Sequence, residues 1–130
     1  MHVSHRSEED AREEARIVEY LGTAFPELSD TFEDNVNVFG IDCGAIFLYD
    51  MILCPFLHTE VPRLIDSANP TDQELLARLV HFFEEMASHP DPRWEAVAAT
   101  SIAECIRGTY ALRDAVHGHL GPHMARLVIQ

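Results

Sequence analysis

Between residues 11 and 25 the apolar side chains Ala11, Ala15, Val18, Leu21 and Phe25 recur at steps of three and four. That spacing places them on one stripe of an α-helix. Ser7 with Asp10 three residues later resembles a capping box in which Asp replaces Glu, so the pattern predicts a helix from about Ser7 to Ala24. Its outer face carries Glu9, Arg12, Glu13, Arg16 and Glu19, and Glu8 and Arg12 stand four apart with the acid first, a weakly stabilising arrangement. Pro26 marks a break.

Two patterns compete over residues 27 to 42. Val36 and Val38 alternate as in a short strand, whereas Phe32, Val36 and Phe39 fit a helical stripe that starts at Ser29 or Asp30. From Cys43 to Leu57 the chain is apolar nearly all round, which predicts a central buried helix. Pro55 is expected to kink or end that helix, because it has no N–H to donate to the Met51 carbonyl, and Pro62 to begin a separate turn over residues 63 to 68. Asp50 stands out in this block: facing the core, it needs a hydrogen-bond partner.

Asn69-Pro70, or Thr71 with Glu74, starts a helix over residues 70 to 88 with Leu75, Leu76, Leu79, Val80, Phe83, Met86 and Ala87 on one face. His89-Pro90 stops it. Asp91 as N-cap and Pro92 as first helical residue start another over 92 to 107, with the stripe Trp94, Val97, Ala98, Ser101, Ile102 and Cys105. Gly108 falls where a left-handed cap belongs. The short turn between these two helices makes them antiparallel neighbours. Tyr110, Ala111, Ala115 and Val116 continue into a helix ending at Gly118 or Gly121, and Pro122 opens a last turn or two with Met124, Leu127 and Val128. The whole reads as one all-α domain, an irregular bundle of five to seven helices with antiparallel pairs, with residues 1 to 6 disordered. A HEAT-like stack is the minor alternative, since no constant repeat period is visible.

Charge narrows the partners. The 130 residues include 22 acidic side chains against 9 basic ones, all arginine, for a net charge of −13. So negative a surface repels phosphate backbones and anionic headgroups, which argues against nucleic acid and membrane and leaves a basic protein, a cation or a neutral small molecule. Solubility alone is also a sufficient reason for such a charge. Cys43, Cys54 and Cys105 are odd in number, widely spaced and set among apolar neighbours, and read as reduced core cysteines in a cytoplasmic protein. No apolar run follows the N-terminal residues, and the longest apolar stretch is shorter than the roughly 20 residues that a span needs. The expected state is a monomer or weak homodimer.

Catalytic and metal signatures are incomplete. Eight histidines are present, but His117 and His119 are two apart and a Gly121-Pro122 break separates them from His123, and neither HExxH nor CxxC occurs. Convergence of these three histidines with Asp114 would need the break to fold back. No cofactor is implied. Ser101 sits on an apolar stripe, no GxSxG exists, and the absence of lysine removes Schiff-base and P-loop chemistry. Glu84, Glu85 and Glu104 lie on the 70–88 and 92–107 helices, where Glu84 and Glu104 at the stripe edges could share a groove and raise one pKa.

Three stretches, Leu79 to Asp91 with Phe82-Phe83-Glu84-Glu85-Met86, then Ser101-Ile102-Ala103-Glu104-Cys105-Ile106, then Leu120-Gly121-Pro122, look like a family of small acidic helical bacterial proteins. That group resembles the immunity proteins that accompany bacterial toxins. The resemblance covers the last 60 residues or so and, loosely, Ile46 to Leu57. Its motifs are core pattern and carry no functional residue across. It implies a non-enzymatic binding protein that masks a basic, toxin-like partner, for which Glu8, Glu9, Glu13, Glu14, Asp34, Asp42, Glu84 and Glu85 form the candidate contact set. The alternative is a small-molecule-binding protein or small enzyme whose apolar pocket is lined by Phe47, Tyr49, Met51, Phe56, Trp94 and Tyr110, with Asp50 or Glu104 as its carboxylate.

Overall fold

Side-chain caps start the helices where the local sequence supplies them. In the computed structural model, which describes residues 7–129, helix α1 (Glu8–Ala24) begins at Ser7, whose Oγ accepts the Asp10 N–H at 3.1 Å. Such a cap satisfies one of the amide groups that a helix leaves unpaired at its start. Helix α4 (Pro70–Ala87) begins at Asn69, whose Oδ1 accepts the Thr71 N–H at 2.8 Å. Helix α5 begins at Asp91, whose Oδ1 accepts the Arg93 N–H at 2.9 Å. The expected disorder of residues 1 to 6 lies outside the described residues.

Residues 27 to 42 are helical rather than extended. After a 3-10 turn (Pro26–Leu28), α2 (Ser29–Phe39) takes the helical stripe and buries none of its residues fully. Gly40 at φ 84° and Gly44 at φ 113° bracket a second 3-10 turn (Ile41–Cys43), and both sit in backbone that only glycine adopts easily. They turn the chain from α2 into α3 (Ala45–Ile65).

Helix α3 departs from the expected break at Pro55. It runs unbroken through Pro55 and Pro62 and absorbs the separate turn expected after Pro62. Pro55 is exposed, while Ile52, Leu53, Leu57, Val61 and Leu64 hold the helix in the core. Packing outweighs the local cost of the prolines.

Residues 92–107 form α5, an α-turn (Pro92–Val97), a π-helical turn (Ala98–Ala103) and a closing α-turn (Glu104–Arg107). Gly108 is not left-handed as expected. It keeps φ −70°, its N–H bonds to the Glu104 carbonyl at 2.9 Å, and Thr109, extended at φ −133°, makes the turn instead. Helices α6 (Tyr110–Val116) and α7 (Pro122–Ile129) complete an all-α bundle with seven helices among the described residues.

Helix α3 packs against α1, α2, α4, α5 and α6. One central helix touched by five others is a bundle, since each repeat of a HEAT-like stack meets only its neighbours. Phe82 of α4 lies at the crossing of three helices, stacked on Tyr20 at 5.0 Å, edge-on to Phe25 at 5.0 Å and stacked on Tyr49 at 6.2 Å between centroids. Tyr49 is buried, and its hydroxyl donates to the Ile17 carbonyl at 2.7 Å, tying α3 to α1.

The cysteines differ most from the sequence reading. Cys54 of α3 and Cys105 of α5 form a disulfide with Cα atoms 5.9 Å apart, and Cys43 is exposed, so three reduced core cysteines is not what the fold contains. The reason is tertiary: packing α5 along α3 brings together residues 51 apart in sequence, a proximity that spacing does not encode. Among the described residues no helix is long and apolar enough to cross a membrane.

Candidate functional site

The carboxylates of the expected contact set divide into two groups. Four are tied to another helix. Glu13 Oε2 accepts the Trp94 indole N–H at 2.6 Å, and this bond, with Arg16 at 2.9 Å, holds its carboxyl below the ordinary glutamate value despite burial. Glu14 Oε1 accepts the Ala45 N–H at 2.9 Å and so caps α3, whose Gly44 has no side chain to do it. Glu84 reaches from α4 to the start of α7, where its two oxygens accept the N–H groups of His123 at 3.1 Å and Met124 at 3.0 Å and meet His123 Nδ1 at 2.5 Å. Burial pushes the Glu84 carboxyl up, but these bonds together hold it below its ordinary value. Glu85 accepts the Tyr20 hydroxyl and stands 3.3 Å from His81 Nε2.

The other four face water. Glu8 lies 4.0 Å from Arg12 with both side chains exposed, and Glu9 lies 3.9 Å from Arg93, which binds Asp91 and Asp10 more closely. Asp34 on α2 and Asp42 in the turn after it are exposed, and among the described residues no cation pairs with either.

These two aspartates belong to a stretch of sequence of one sign, in which Glu27 pairs with Arg78 and Glu60 with Arg63. No arginine or lysine occurs between Arg16 and Arg63, whereas Glu19, Glu27, Asp30, Glu33, Asp34, Asp42, Asp50 and Glu60 all fall there. The same stretch exposes large apolar side chains: Val38 at 75%, Phe39 at 43%, Met51 at 41%, and Ile46 and Phe47 at 38%. Phe39 and Phe47 meet edge to face at 4.9 Å, joining the end of α2 to the start of α3. Exposed apolar side chains and the exposed Asp34 and Asp42 thus sit on the same part of the chain. Sequence reasoning used Val38 and Phe39 only as pattern residues and did not assign Val38, Phe39 or Ile46 to a binding surface. The missing signal was the long stretch without a basic residue.

The alternative pocket residues are not gathered in one place. Tyr49 is spent on the core, Trp94 stacks on His89 at 4.4 Å beside α1, and Tyr110 is 78% exposed on α6. Phe47 and Met51 lie on the outer surface of α3, and Phe56 packs at the edge of the core. Asp50 and Glu104 do approach each other. Burial raises the Asp50 carboxyl above the ordinary aspartate value, contact with the Ser101 hydroxyl opposes this, and the charge of Glu104 adds to the rise. The Ser101 hydroxyl itself donates to the Ile46 carbonyl at 3.0 Å, pinning the π-helical turn to α3. Glu84, engaged on α7, is not the partner of Glu104. Trp94 and Phe56 line separate surface depressions, of about 360 Å³ with Tyr20, Glu85 and His89 and of about 260 Å³ with Leu28, Ile52 and Pro55, while two others of about 340 and 640 Å³ hold none of the expected pocket residues.

Among the described residues, His117, His119, His123 and Asp114 do not form a ligand cluster, because His123 turns to Glu84 while His117 and His119 are exposed. The group that does converge is Cys54, His58 and Cys105. Sequence reasoning noted the cysteines and not the i,i+4 spacing of Cys54 and His58, which puts both on one face of α3. Comparison of the chain with protein-family models, with curated proteins and with solved structures finds no match in any of the three.

Proposed function

We propose that this protein is a non-enzymatic binding protein, immunity-like in kind, that masks a basic protein partner with the outer face of α2 and α3. The observation that supports the reading is the coincidence of exposed apolar side chains, Val38, Phe39, Ile46, Phe47 and Met51, with a stretch of chain that has carboxylates and no arginine or lysine of its own. Aromatic and Met side chains supply contact area, while the carboxylates Asp34, Asp42 and Asp50 select a positive counterpart and speed its approach. Charge also argues against self-association through this face, since two copies would bring like charges together. Glu13, Glu14, Glu84 and Glu85 act by holding the helices in place and contribute only to the overall field. The cytoplasm is the proposed setting, because a masking protein acts where its partner is made.

A photo-reactive amino acid placed at Phe47 in the producing cell tests this. The expected product is a crosslink to one strongly basic protein, absent when the same group is placed at Ile129 of α7, which is also exposed. Crosslinking to an acidic or neutral partner, equal yield from both positions, or no partner at all would contradict the proposal.

A further inference from the structure

We infer that Cys54, His58 and Cys105 form a redox-gated site for a soft divalent cation, zinc foremost, which the reduced thiolates hold and the disulfide excludes. Cys54 and His58 stand one turn apart on α3, and Cys105 comes from α5 with its Cα 5.9 Å from that of Cys54. Cys105 Sγ is 3.5 Å from His58 Nε2, and the donor atoms of all three residues lie within 4.8 Å of one another. Two thiolates and an imidazole are the donor set that borderline-soft zinc prefers.

Burial suits the same role. Cys105 is almost buried, Cys54 half-buried and His58 exposed, so the sulfurs sit at the floor of the site and water can fill a fourth position from the His58 side. Thiolates on one zinc ion stand about 3.8 Å apart, given bond lengths of about 2.3 Å and a tetrahedral angle. With the Cα atoms 5.9 Å apart, rotation of the two side chains is the movement the inference requires. Oxidation by a low-molecular-weight disulfide closes the site: the two thiolates give two electrons, the protein S–S bond forms, the reagent's S–S bond breaks, its two thiolates take up two protons to leave as thiols, and the cation is released. This site adjoins the α2–α3 face, since Asp50 and Met51 stand one turn before Cys54 on α3, but it uses none of that face's side chains.

The test is a Co²⁺ titration of the full chain, reduced with a phosphine and then oxidised, read by thiolate-to-cobalt charge-transfer absorption and displaced by Zn²⁺. The reduced protein is expected to bind one equivalent, the oxidised protein none, and H58A to bind at least about tenfold more weakly. C43S should match the wild type. A reduced chain that has lost its helical circular dichroism should regain it with one equivalent of Zn²⁺. The inference is overturned if the reduced protein gives no thiolate band, if it stays unfolded with Zn²⁺, if H58A or the oxidised form binds as well, or if C43S abolishes binding.

Discussion

Phe82→Ala is expected to lower the free energy of unfolding by about 3–5 kcal/mol, the range for truncating a buried aromatic. Phe82 is 2% exposed and is the ring that Tyr20 and Phe25 of α1 and Tyr49 of α3 share, so its loss opens a cavity where three helices meet. Rigid elements on all sides limit collapse into the space. In a chain of 130 residues this should appear as a Tm drop on the order of 10–20 °C and a shifted urea midpoint with unchanged slope. Phe47→Ala, at 38% exposure and with one ring contact to Phe39, should cost about 1 kcal/mol by comparison. If the two variants lost similar stability, the α1–α3–α4 crossing would not be the centre of the core.

The second large effect is expected at Glu84, though the residue is at the bundle surface. Glu84→Ala removes the acceptor for two backbone N–H groups at the start of α7 and the partner of His123. Loss of a helix cap together with a charge-assisted bond costs about 2 kcal/mol, and α7 should become the first segment to exchange its amide protons. Gly121 belongs to the same device: a Cβ there would lie 2.5 Å from Glu84 Oε1, so Gly121→Ala should dislodge the cap and reproduce most of the loss.

The same carboxylate sets the direction of the acid response. Glu13, Glu27, Asp72 and Glu84 are held below their ordinary values, and Arg93 draws Asp91 down to about 2. A group whose pKa is lower folded than unfolded adds stability that is complete above the unfolded value and is lost as pH falls through the folded one. Stability should therefore be level near neutrality and decline from about pH 4.5 towards pH 2. Glu84→Gln should show a shallower decline, and an identical one would remove Glu84 from the set.

What the sequence makes legible follows from the range of the interactions. Ser7, Asn69 and Asp91 act within three residues of themselves, so the starts of α1, α4 and α5 can be read directly. Residues 27 to 42 fit two periods equally, and contact with α3 selects the helix. The continuity of α3 through Pro55 depends on which side of the helix that proline occupies, which is known only once the core side is fixed. Glu84 was legible as an acid at a stripe edge, but its target lies 39 residues ahead on another helix. The Cys54–Cys105 pair depends in the same way on α5 lying along α3. The border aspartates Asp34 and Asp42 were legible as acids. The exposure of Val38 and Phe39 was not, because apolar residues at helical spacing are more often buried.

The central claim is that the α2–α3 face recruits a basic partner by charge. Its most direct measurement is the association rate of the partner captured from Phe47, for the wild type and for the triple variant Asp34→Asn, Asp42→Asn, Asp50→Asn, between about 0.05 and 0.5 M salt. The predicted result is fast, steeply salt-dependent association of the wild type, slower association of the variant at low salt, convergence of the two at high salt, and nearly equal dissociation rates. An association rate indifferent both to salt and to the three substitutions would contradict the account.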